Sequence, residues 1–203
     1  MKQIKIALKL FVILMILVGV IYPVAVTALA QLFFPKEAGG SLLYDSGGNL
    51  TGSALIGQPF SDPKYFWSRP SATSDYPYNP LASGGSNLGP TNKILIEQIS
   101  NRTELLKSSG IQSPVPSDLV EASASGLDPH ISMQSALVQM PRVARARNLD
   151  EETLRNIVLE YVEERQFGFL GKQRINVLKL NLALQAVPKL KTIAQSKYNL
   201  SQL

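Results

Sequence analysis

One uncharged apolar run near the amino terminus constrains this chain more than any other feature. From Leu10 to Phe34 there are 25 residues without Asp, Glu, Lys or Arg. As an α-helix this run would be about 37 Å long, enough to cross a hydrocarbon layer of about 30 Å. The sequence therefore predicts a membrane-spanning helix over residues 10–34. A short basic segment, residues 1–9, precedes it, and a globular domain, residues 35–203, follows it.

Charge on the two sides of the apolar run predicts its orientation. Lys2, Lys5 and Lys9 precede the run, whereas the flank beyond it carries one lysine beside one glutamate. Because cytoplasmic flanks of membrane helices are enriched in Lys and Arg, we expect the amino terminus in the cytoplasm and the globular domain outside it. A cleaved signal peptide is the alternative, since Ala28-Leu29-Ala30 has the form of a cleavage site.

The composition excludes several kinds of site. The chain has no cysteine and one histidine, His130. This excludes disulfides, thiolate metal sites, cysteine nucleophiles and multi-histidine metal centres. The net charge is +5 at pH 7, and three of the positive charges lie ahead of the apolar run. Because the remaining excess is small, we expect no nucleic acid among the partners.

The globular part is expected to be α+β, a mixed α/β domain with a small sheet and several helices. Two β-like runs, 41–45 and 50–56, flank a turn with adjacent glycines, which indicates a hairpin. A short strand is expected over 118–121. Leucines that alternate with other residues over 177–184 predict a further strand. The basic tail, 185–203, is expected to fray.

Apolar residues at helical spacing predict several helices. One covers 91–107, and another follows Asp150, a plausible N-cap. Ser132 can cap a helix that Pro141 should break or kink, because proline lacks an N–H and collides with the preceding turn. For the same reason, Pro23 should kink the membrane helix.

A long irregular stretch, residues 57–90, is rich in proline and large aromatic residues. Disordered linkers rarely carry so many aromatics, so we expect an ordered loop layer on the core. Within it, Trp67 and Arg69 belong to residue types enriched at interfaces, and in an extended segment they would share a face. With Arg142 and Arg145 they are candidate docking residues. The alternatives are a core position for Trp67 and a solvated face for the arginines.

No catalytic motif is complete in this sequence. His130 would be the base of a Ser-His-Asp hydrolase, but there is no G-x-S-x-G nucleophile elbow. The run 168–173 differs from a phosphate-binding loop in its glycine spacing and its last residue. The run 83–87 could form an anion-binding nest or a glycine-rich turn. The residues indicate a membrane-tethered domain without a recognisable catalytic or metal site.

Several sequence motifs occur together and in a fixed order. They are Tyr22-Pro23, Gly57-Gln58, FWSRPS (66–71), Tyr78-Asn79, SGGSN (83–87), Pro116, SASGLDPHIS (123–132), PRVARAR (141–147), Asn176-Val177-Leu178 and LNLAL (180–184). Over the chain from the apolar run to about residue 184, this set resembles the C subunit of the Kdp-type potassium-transporting ATPase of bacteria. FWSRPS followed by SGLDPHIS is highly specific, whereas residues 185–203 carry no family information.

The resemblance implies an accessory subunit that is not an enzyme on its own. Its implied partners are a channel-like potassium-translocating subunit, a P-type ATPase subunit phosphorylated on aspartate, and a small single-span subunit. Its implied roles are assembly and, as a catalytic chaperone, raising the ATP affinity of the P-type subunit. ATP is thus implied by the family resemblance only, and we expect this chain to hold no cofactor or metal of its own. The resemblance also favours an uncleaved anchor in the bacterial inner membrane, with the main domain in the periplasm.

Two motif segments receive no defined role from the resemblance. They are Ser83, Gly84, Gly85, Ser86 and Asn87, and Gly126, Leu127, Asp128, Pro129 and His130. The first segment is faintly similar to the signature loop of ATP-binding-cassette proteins. The predicted orientation, however, separates it from cytoplasmic ATP, so coupling would pass through the membrane helix and the partners. The alternative functions are an anchored or secreted hydrolase that uses His130 and a periplasmic module that binds a soluble ligand.

Overall fold

The structure is a computed structural model that describes residues 2–112 and 114–186. The chain divides after Leu42 into two compact units. Most of the expected basic tail, residues 187–203, lies outside the described residues.

The first unit is dominated by one long helix. Its parts are α1 (Lys2–Ile16), a π-helical turn (Leu17–Ile21) and α2 (Tyr22–Phe33), and the short helix α3 (Pro35–Ala38) follows. The stretch Lys2–Phe33 is 32 residues long with a mean hydropathy of 2.7 in its most apolar part. Its length and composition are consistent with a single membrane anchor. At Pro23 the helix accommodates the proline by widening into the π-helical turn.

Two small sheets follow α3 in the chain. The first pairs β1 (Leu42–Tyr44) with β2 (Leu50–Ser53), which confirms the expected hairpin. The Asp45 carboxylate accepts hydrogen bonds from the backbone N–H groups of Gly47 and Asn49, which stabilises the turn between β1 and β2. The second sheet is antiparallel in the order β3-β5-β4, formed by β3 (His130–Ser132), β4 (Val162–Glu163) and β5 (Arg174–Asn176).

Four helices follow the hairpin in the described part of the chain, and α5 packs on β3 and β5 of the larger sheet. They are α4 (Lys93–Ser108), α5 (Met133–Arg147), α6 (Glu151–Glu160) and α7 (Val177–Ala186), with 3₁₀ turns at Pro80–Ala82 and Ser117–Leu119. The two predicted caps are confirmed, because the Ser132 side chain accepts from Ser135 N–H and that of Asp150 accepts from Thr153 N–H.

Two predictions about local structure are wrong. The stretch 177–184 forms helix α7 instead of a strand, because its buried residues recur at helical spacing and the Asn176 side chain caps the first turn by accepting Lys179 N–H at 3.1 Å. The stretch 118–121 forms no strand, because its first residues complete the 3₁₀ turn Ser117–Leu119. Of the two outcomes expected at Pro141, a break is excluded, because helix α5 continues through it; a kink stays a prediction.

The core of the second unit combines helices, sheet and loop layer. Its fully enclosed side chains include Phe66, Ile131, Val143, Leu154, Val158, Ile175, Leu180 and Leu184. Because Phe66 comes from the irregular stretch, that stretch is an ordered layer, as predicted. The α+β fold class is therefore confirmed.

Candidate functional site

Two of the sequence motifs meet the larger sheet at a polar cleft of about 530 Å³. Its lining includes Arg69, Asp118, Asp128, His130, Lys172 and Arg174. Arg69 comes from the FWSRPS motif, and Asp128 and His130 come from the SGLDPHIS motif. Because β3 begins at His130 and pairs with β5, the sheet brings these residues beside Arg174.

Asp128 joins the two motifs directly. Its Oδ2 lies 3.0 Å from Arg69 Nη1, and its Oδ1 lies 3.4 Å from His130 Nδ1. The same Oδ1 accepts the backbone N–H of His130 at 3.0 Å. Burial raises the pKa of Asp128, but the hydrogen bonds from His130 and the positive charge of Arg69 outweigh burial and hold the pKa below its ordinary value. Asp128 is therefore a carboxylate that fixes the motifs to each other.

Glu163 on β4 continues this set of charges. Its Oε2 lies 3.4 Å from His130 Nε2 and 3.0 Å from Arg174 Nε, and its Oε1 lies 2.9 Å from Lys179 Nζ. Burial raises the pKa of Glu163. The hydrogen bonds from Lys179 and Arg174 outweigh burial and hold this pKa below its usual range. One chain of ionic contacts thus extends from the loop layer through β3 and β4 to β5 and α7.

The position of His130 does not favour a hydrolase. Both of its ring nitrogens face carboxylate oxygens, at 3.4 Å in each case. Ser132, which also lines the cleft, uses its hydroxyl toward Asp118 and Ser135. A triad needs a serine hydroxyl on the histidine nitrogen that its carboxylate leaves free. Within the described residues, the arrangement suits a structural ionic network better than a catalytic one.

Two side-chain amides hold the backbone of Phe66 and Trp67. Asn181 Oδ1 accepts Phe66 N–H at 2.9 Å, and Asn181 Nδ2 donates to Phe66 C=O at 2.9 Å. Gln139 Oε1 accepts Trp67 N–H at 2.7 Å, and Gln139 Nε2 donates to Trp67 C=O at 3.2 Å. Each amide pairs with one residue as a neighbouring β-strand would. This amide clamp satisfies the polar groups of a buried loop backbone.

Arg142 lies beneath Trp67. It is 5% exposed, and its guanidinium carbon is 4.0 Å from the centroid of the Trp67 ring. It donates to the carbonyls of Pro63 at 2.6 Å and Tyr65 at 3.1 Å, and to Gln139 Oε1 at 2.7 Å. Burial lowers the pKa of Arg142 to about 10. A guanidinium enclosed in this way affects a partner only through the loop that it holds.

The other predicted docking residues differ in exposure. Arg145 is exposed, whereas Trp67 and Arg69 are half-buried and contact different neighbours, Arg142 and Asp128. Sequence reasoning placed Trp67 and Arg69 on one face, and in the structure each is tied into a separate network. Their place in an interface stays a prediction.

The two motif segments without a defined role pack against each other. Gly84 N–H donates to Ser125 C=O at 2.9 Å, and Ser83 Oγ donates to the same oxygen at 3.0 Å. Gly126 has φ of +68°, and a Cβ added to it would lie 2.8 Å from Gly84 O. Close backbone packing therefore accounts for glycine here. Residues 83–87 themselves form neither helix, strand nor turn, and a role for them stays a prediction.

One exposed feature escaped sequence reasoning. Between β4 and β5, Gln166 and Leu170 exchange backbone hydrogen bonds and form a tight turn. At its tip Phe167 is 87% exposed and Phe169 is 71% exposed. The signal was present as apolar residues between two glycines in the run 168–171, outside any helical or strand periodicity. We call residues 166–170 the hairpin tip. Elsewhere in the described part of the chain, no cluster of three or more metal-ligating side chains occurs.

Comparison with known proteins gives a consistent set of relatives. The chain matches the family model described as K⁺-transporting ATPase, c chain (KdpC), over residues 4–186. It is 56% identical to the potassium-transporting ATPase KdpC subunit of Geobacter metallireducens over 184 residues, which cover 91% of this chain and 97% of the relative. The KdpC subunit of Geotalea uraniireducens is 53% identical over 189 residues, 93% of this chain and 100% of the relative. That of Methylococcus capsulatus is 54% identical over 185 residues, with 90% and 97% covered.

Proposed function

The chain belongs to the family of K⁺-transporting ATPase c chains, the KdpC subunits, and from this premise we propose that it is an accessory, non-catalytic subunit of an ATP-driven potassium-uptake complex. The family match over residues 4–186 carries the proposal, because it covers the anchor and the globular unit together. The paired carboxylates around His130 support the non-catalytic part, since they occupy both ring nitrogens.

The proposed topology places the amino terminus in the cytoplasm and residues 35–203 in the periplasm of a bacterial inner membrane. Three lysines ahead of the apolar run support this orientation. A cysteine at Ser46 tests it, because the natural chain has no cysteine and the turn at Ser46 is exposed. An impermeant maleimide should label this cysteine in intact spheroplasts. Labelling only after lysis would invert the topology.

The proposed partners are a channel-like potassium-translocating subunit, a P-type ATPase subunit and a small single-span subunit. The proposed role is to support assembly and to raise the ATP affinity of the P-type subunit. We assign no ATP contact to this chain. The run 83–87 is engaged with Ser125, so an effect on ATP affinity is proposed to act through the partners.

The proposed docking surface combines Arg69 and Arg145 with the hairpin tip. Exposed Phe167 and Phe169 support the choice of the hairpin tip, since large apolar side chains on a surface commonly mark contact sites. Arg145 supplies an exposed guanidinium. We propose that Trp67 and Arg142 act on this surface indirectly, by holding the loop layer that carries Arg69.

Affinity purification of the full chain from its own membranes tests the function. We expect a channel-like subunit and a P-type ATPase to be recovered with it. Recovery of neither would remove the functional proposal. His130→Gln separates the accessory role from the hydrolase alternative: growth at low potassium should persist, because the imidazole carries no chemistry in the accessory role. An esterase or glycosidase activity of the purified chain that disappears in this variant would favour the hydrolase.

A further inference from the structure

The hairpin tip stands on a fixed base in the larger sheet. The strands β4 and β5 pair up to Glu163 and Arg174, and every residue from 164 to 173 is exposed. The two phenylalanines of the tip are mostly exposed, and Leu170 beside them is 48% exposed. These apolar side chains therefore lack cover from the described part of the chain.

The backbone of the hairpin tip is largely paired within its own turn. Gln166 N–H donates to Leu170 C=O at 3.0 Å, and Leu170 N–H donates to Gln166 C=O at 2.9 Å. Phe169 N–H donates to Gln166 C=O, and Gly168 N–H donates to Arg165 C=O. An apolar medium offers few hydrogen-bond partners, so a backbone segment enters it at low cost only when its polar groups are already paired. This turn can enter the headgroup region of a lipid layer with these four N–H groups satisfied.

Two cations adjoin the hairpin tip. Arg165 precedes it directly, Lys172 follows two residues after it, and both are exposed. Neither forms an ion pair with another residue that the structure describes. Glu164 is the one acidic residue in 164–173, and its oxygens accept the Gln173 amide at 2.9 and 3.0 Å. Two cations against one carboxylate leave this segment positive.

Exposed phenylalanines beside a lysine favour a lipid surface over a protein surface as the neighbour of the tip. Lysine is depleted in protein interfaces, and its ammonium group is strongly hydrated. At a membrane the ammonium stays in water beside anionic headgroups while its alkyl chain and the adjoining aromatic rings reach the acyl boundary. A lipid layer also needs no complementary pocket. A Cβ built on Gly168 or Gly171 would meet nothing within 4 Å, so the tip has the open surroundings that insertion needs.

We propose that the hairpin tip, with Arg165 and Lys172, inserts into the headgroup layer of an anionic phospholipid membrane. Phe167 and Phe169 enter the boundary between headgroups and acyl chains, and the two cations bind headgroup phosphates. Residues 34–41 alone join the membrane helix to β1, and they span at most about 30 Å even when fully extended. The anchor therefore keeps the globular unit close to a lipid surface.

The inference rests on the proposed function for the anchored topology, and it names what the hairpin tip meets. Within the proposed docking surface it assigns the tip to lipid and leaves Arg69 and Arg145 to the partner subunits. Lipid contact is measured on this chain by itself, whereas the proposed function is tested by recovery of other subunits. The two can therefore fail separately.

Quenching of a fluorescent label by lipid tests insertion of the full chain in nanodiscs. The natural chain has no cysteine, so Gln166→Cys places a single bimane label at the tip and keeps both phenylalanines. Ser46→Cys, in the exposed turn of the other hairpin, is the control. In nanodiscs that contain phosphatidylglycerol, a nitroxide-bearing phospholipid should quench the label at position 166 about twofold or more above the label at position 46. Equal quenching at the two positions overturns the inference.

Charge variants test the anionic part of the inference. Arg165→Gln with Lys172→Gln removes the two cations at the tip, and Arg155→Gln with Lys107→Gln removes the same charge from exposed positions elsewhere. The first pair should reduce quenching in phosphatidylglycerol nanodiscs to its level in phosphatidylcholine alone, because the headgroup attraction is lost. The second pair should leave quenching unchanged. Quenching that is the same with and without phosphatidylglycerol, or that both pairs lower equally, overturns the inference.

A crosslink identifies what the tip meets in the complete complex. A benzophenone derivative of phenylalanine in place of Phe169 keeps an aromatic side chain there. In native membranes it should attach to phospholipid, which mass spectrometry of the tip peptide detects. An adduct with a peptide of a partner subunit, or no adduct, overturns the inference. Failure of the natural chain to recover any partner subunit would remove the proposed function and leave the lipid contact standing.

Discussion

Along the helix from Lys2 to Phe33 every side chain except Ala30 is exposed, whereas the second unit encloses Phe66, Val143 and Leu180 completely. Both regions are rich in apolar side chains, but only those of the globular unit are enclosed by other parts of the same chain. The globular unit supplies neighbours for its apolar groups from its own chain. The anchor must take them from lipid or from other subunits, so its sequence is constrained by molecules outside this chain.

The backbone shows the same difference. In the globular unit even the irregular segment at Phe66 and Trp67 has its N–H and C=O groups paired, through the amide clamp. In the anchor, the Val18 carbonyl loses its α-helical donor, because the Tyr22 N–H donates to the carbonyl of Leu17 instead. The globular unit should therefore respond strongly to small internal changes, and the anchor should respond mainly through its partners.

The largest effect is expected for Gly126→Ala. Its positive φ and a Cβ at 2.5 Å from Thr73 Cγ2 combine backbone strain with overpacking, so the free energy of unfolding should fall by about 3–5 kcal/mol. Gly171→Ala is the matched control, because Gly171 also has positive φ but open space around its Cα, and it should lose about 1 kcal/mol. Urea unfolding in detergent, followed by Trp67 fluorescence, measures both. Equal losses would contradict the close packing of the two motif segments.

Arg142→Ala should follow, with a loss of about 2–4 kcal/mol in the same assay. The substitution leaves the carbonyls of Pro63 and Tyr65 without their donor and removes the support of the Trp67 ring. Arg145→Ala, on the exposed side of the same helix, should change stability by less than about 0.5 kcal/mol. If the two variants were equally stable, Arg142 would be free to act as a direct docking residue.

Acid should weaken the globular unit through Asp128 and Glu163. Both carboxyls have lowered pKa values in the folded chain, from ordinary values of 3.8 and 4.5. Their contribution is therefore complete above about pH 5 and is lost as pH falls through the ordinary values to the lowered ones. The urea midpoint should decrease from pH 5 to pH 3, and Asp128→Asn should flatten that decrease. The apolar run has no carboxylate, so helix content in detergent should not change over this range.

The smallest effect on stability is expected at the hairpin tip, where the globular unit exposes two phenylalanine side chains. Phe167→Ser and Phe169→Ser should each change the unfolding free energy by less than about 0.5 kcal/mol, because both side chains are mostly exposed. Partner recovery should nevertheless fall if the tip is a docking surface. A large loss of stability would show that the tip packs on its own unit.

Local signals allowed much of the fold to be predicted. The apolar run, the glycine turn at 46–49 and the caps at Ser132 and Asp150 each act through neighbouring residues, and each is confirmed. The 177–184 stretch was misread because its alternating leucines match a strand. Helical spacing of the buried residues and Asn176 as a cap were the competing signals.

The candidate site could be predicted only in part. Asp128 and His130 adjoin in sequence, and their motif marked them. Glu163 and Lys179 join them only because β5 pairs with both β3 and β4, and sequence periodicity does not contain that pairing. Arg142 had the right residue type for an interface, but in the structure it is buried. Gln139, on the same helix, accepts from its guanidinium, and Trp67, which is distant in sequence, packs on it.

The amide clamp has a consequence for the order in which the polypeptide folds. Asn181 lies 115 residues beyond Phe66, and Gln139 lies 72 residues beyond Trp67. During synthesis the loop layer emerges long before either amide, so its backbone stays hydrated until α5 and then α7 are made. Contacts between residues so far apart in sequence form late and lower the folding rate. A nascent chain that stops before residue 181 should leave the segment 66–67 open to proteases, and completion of α7 should protect it.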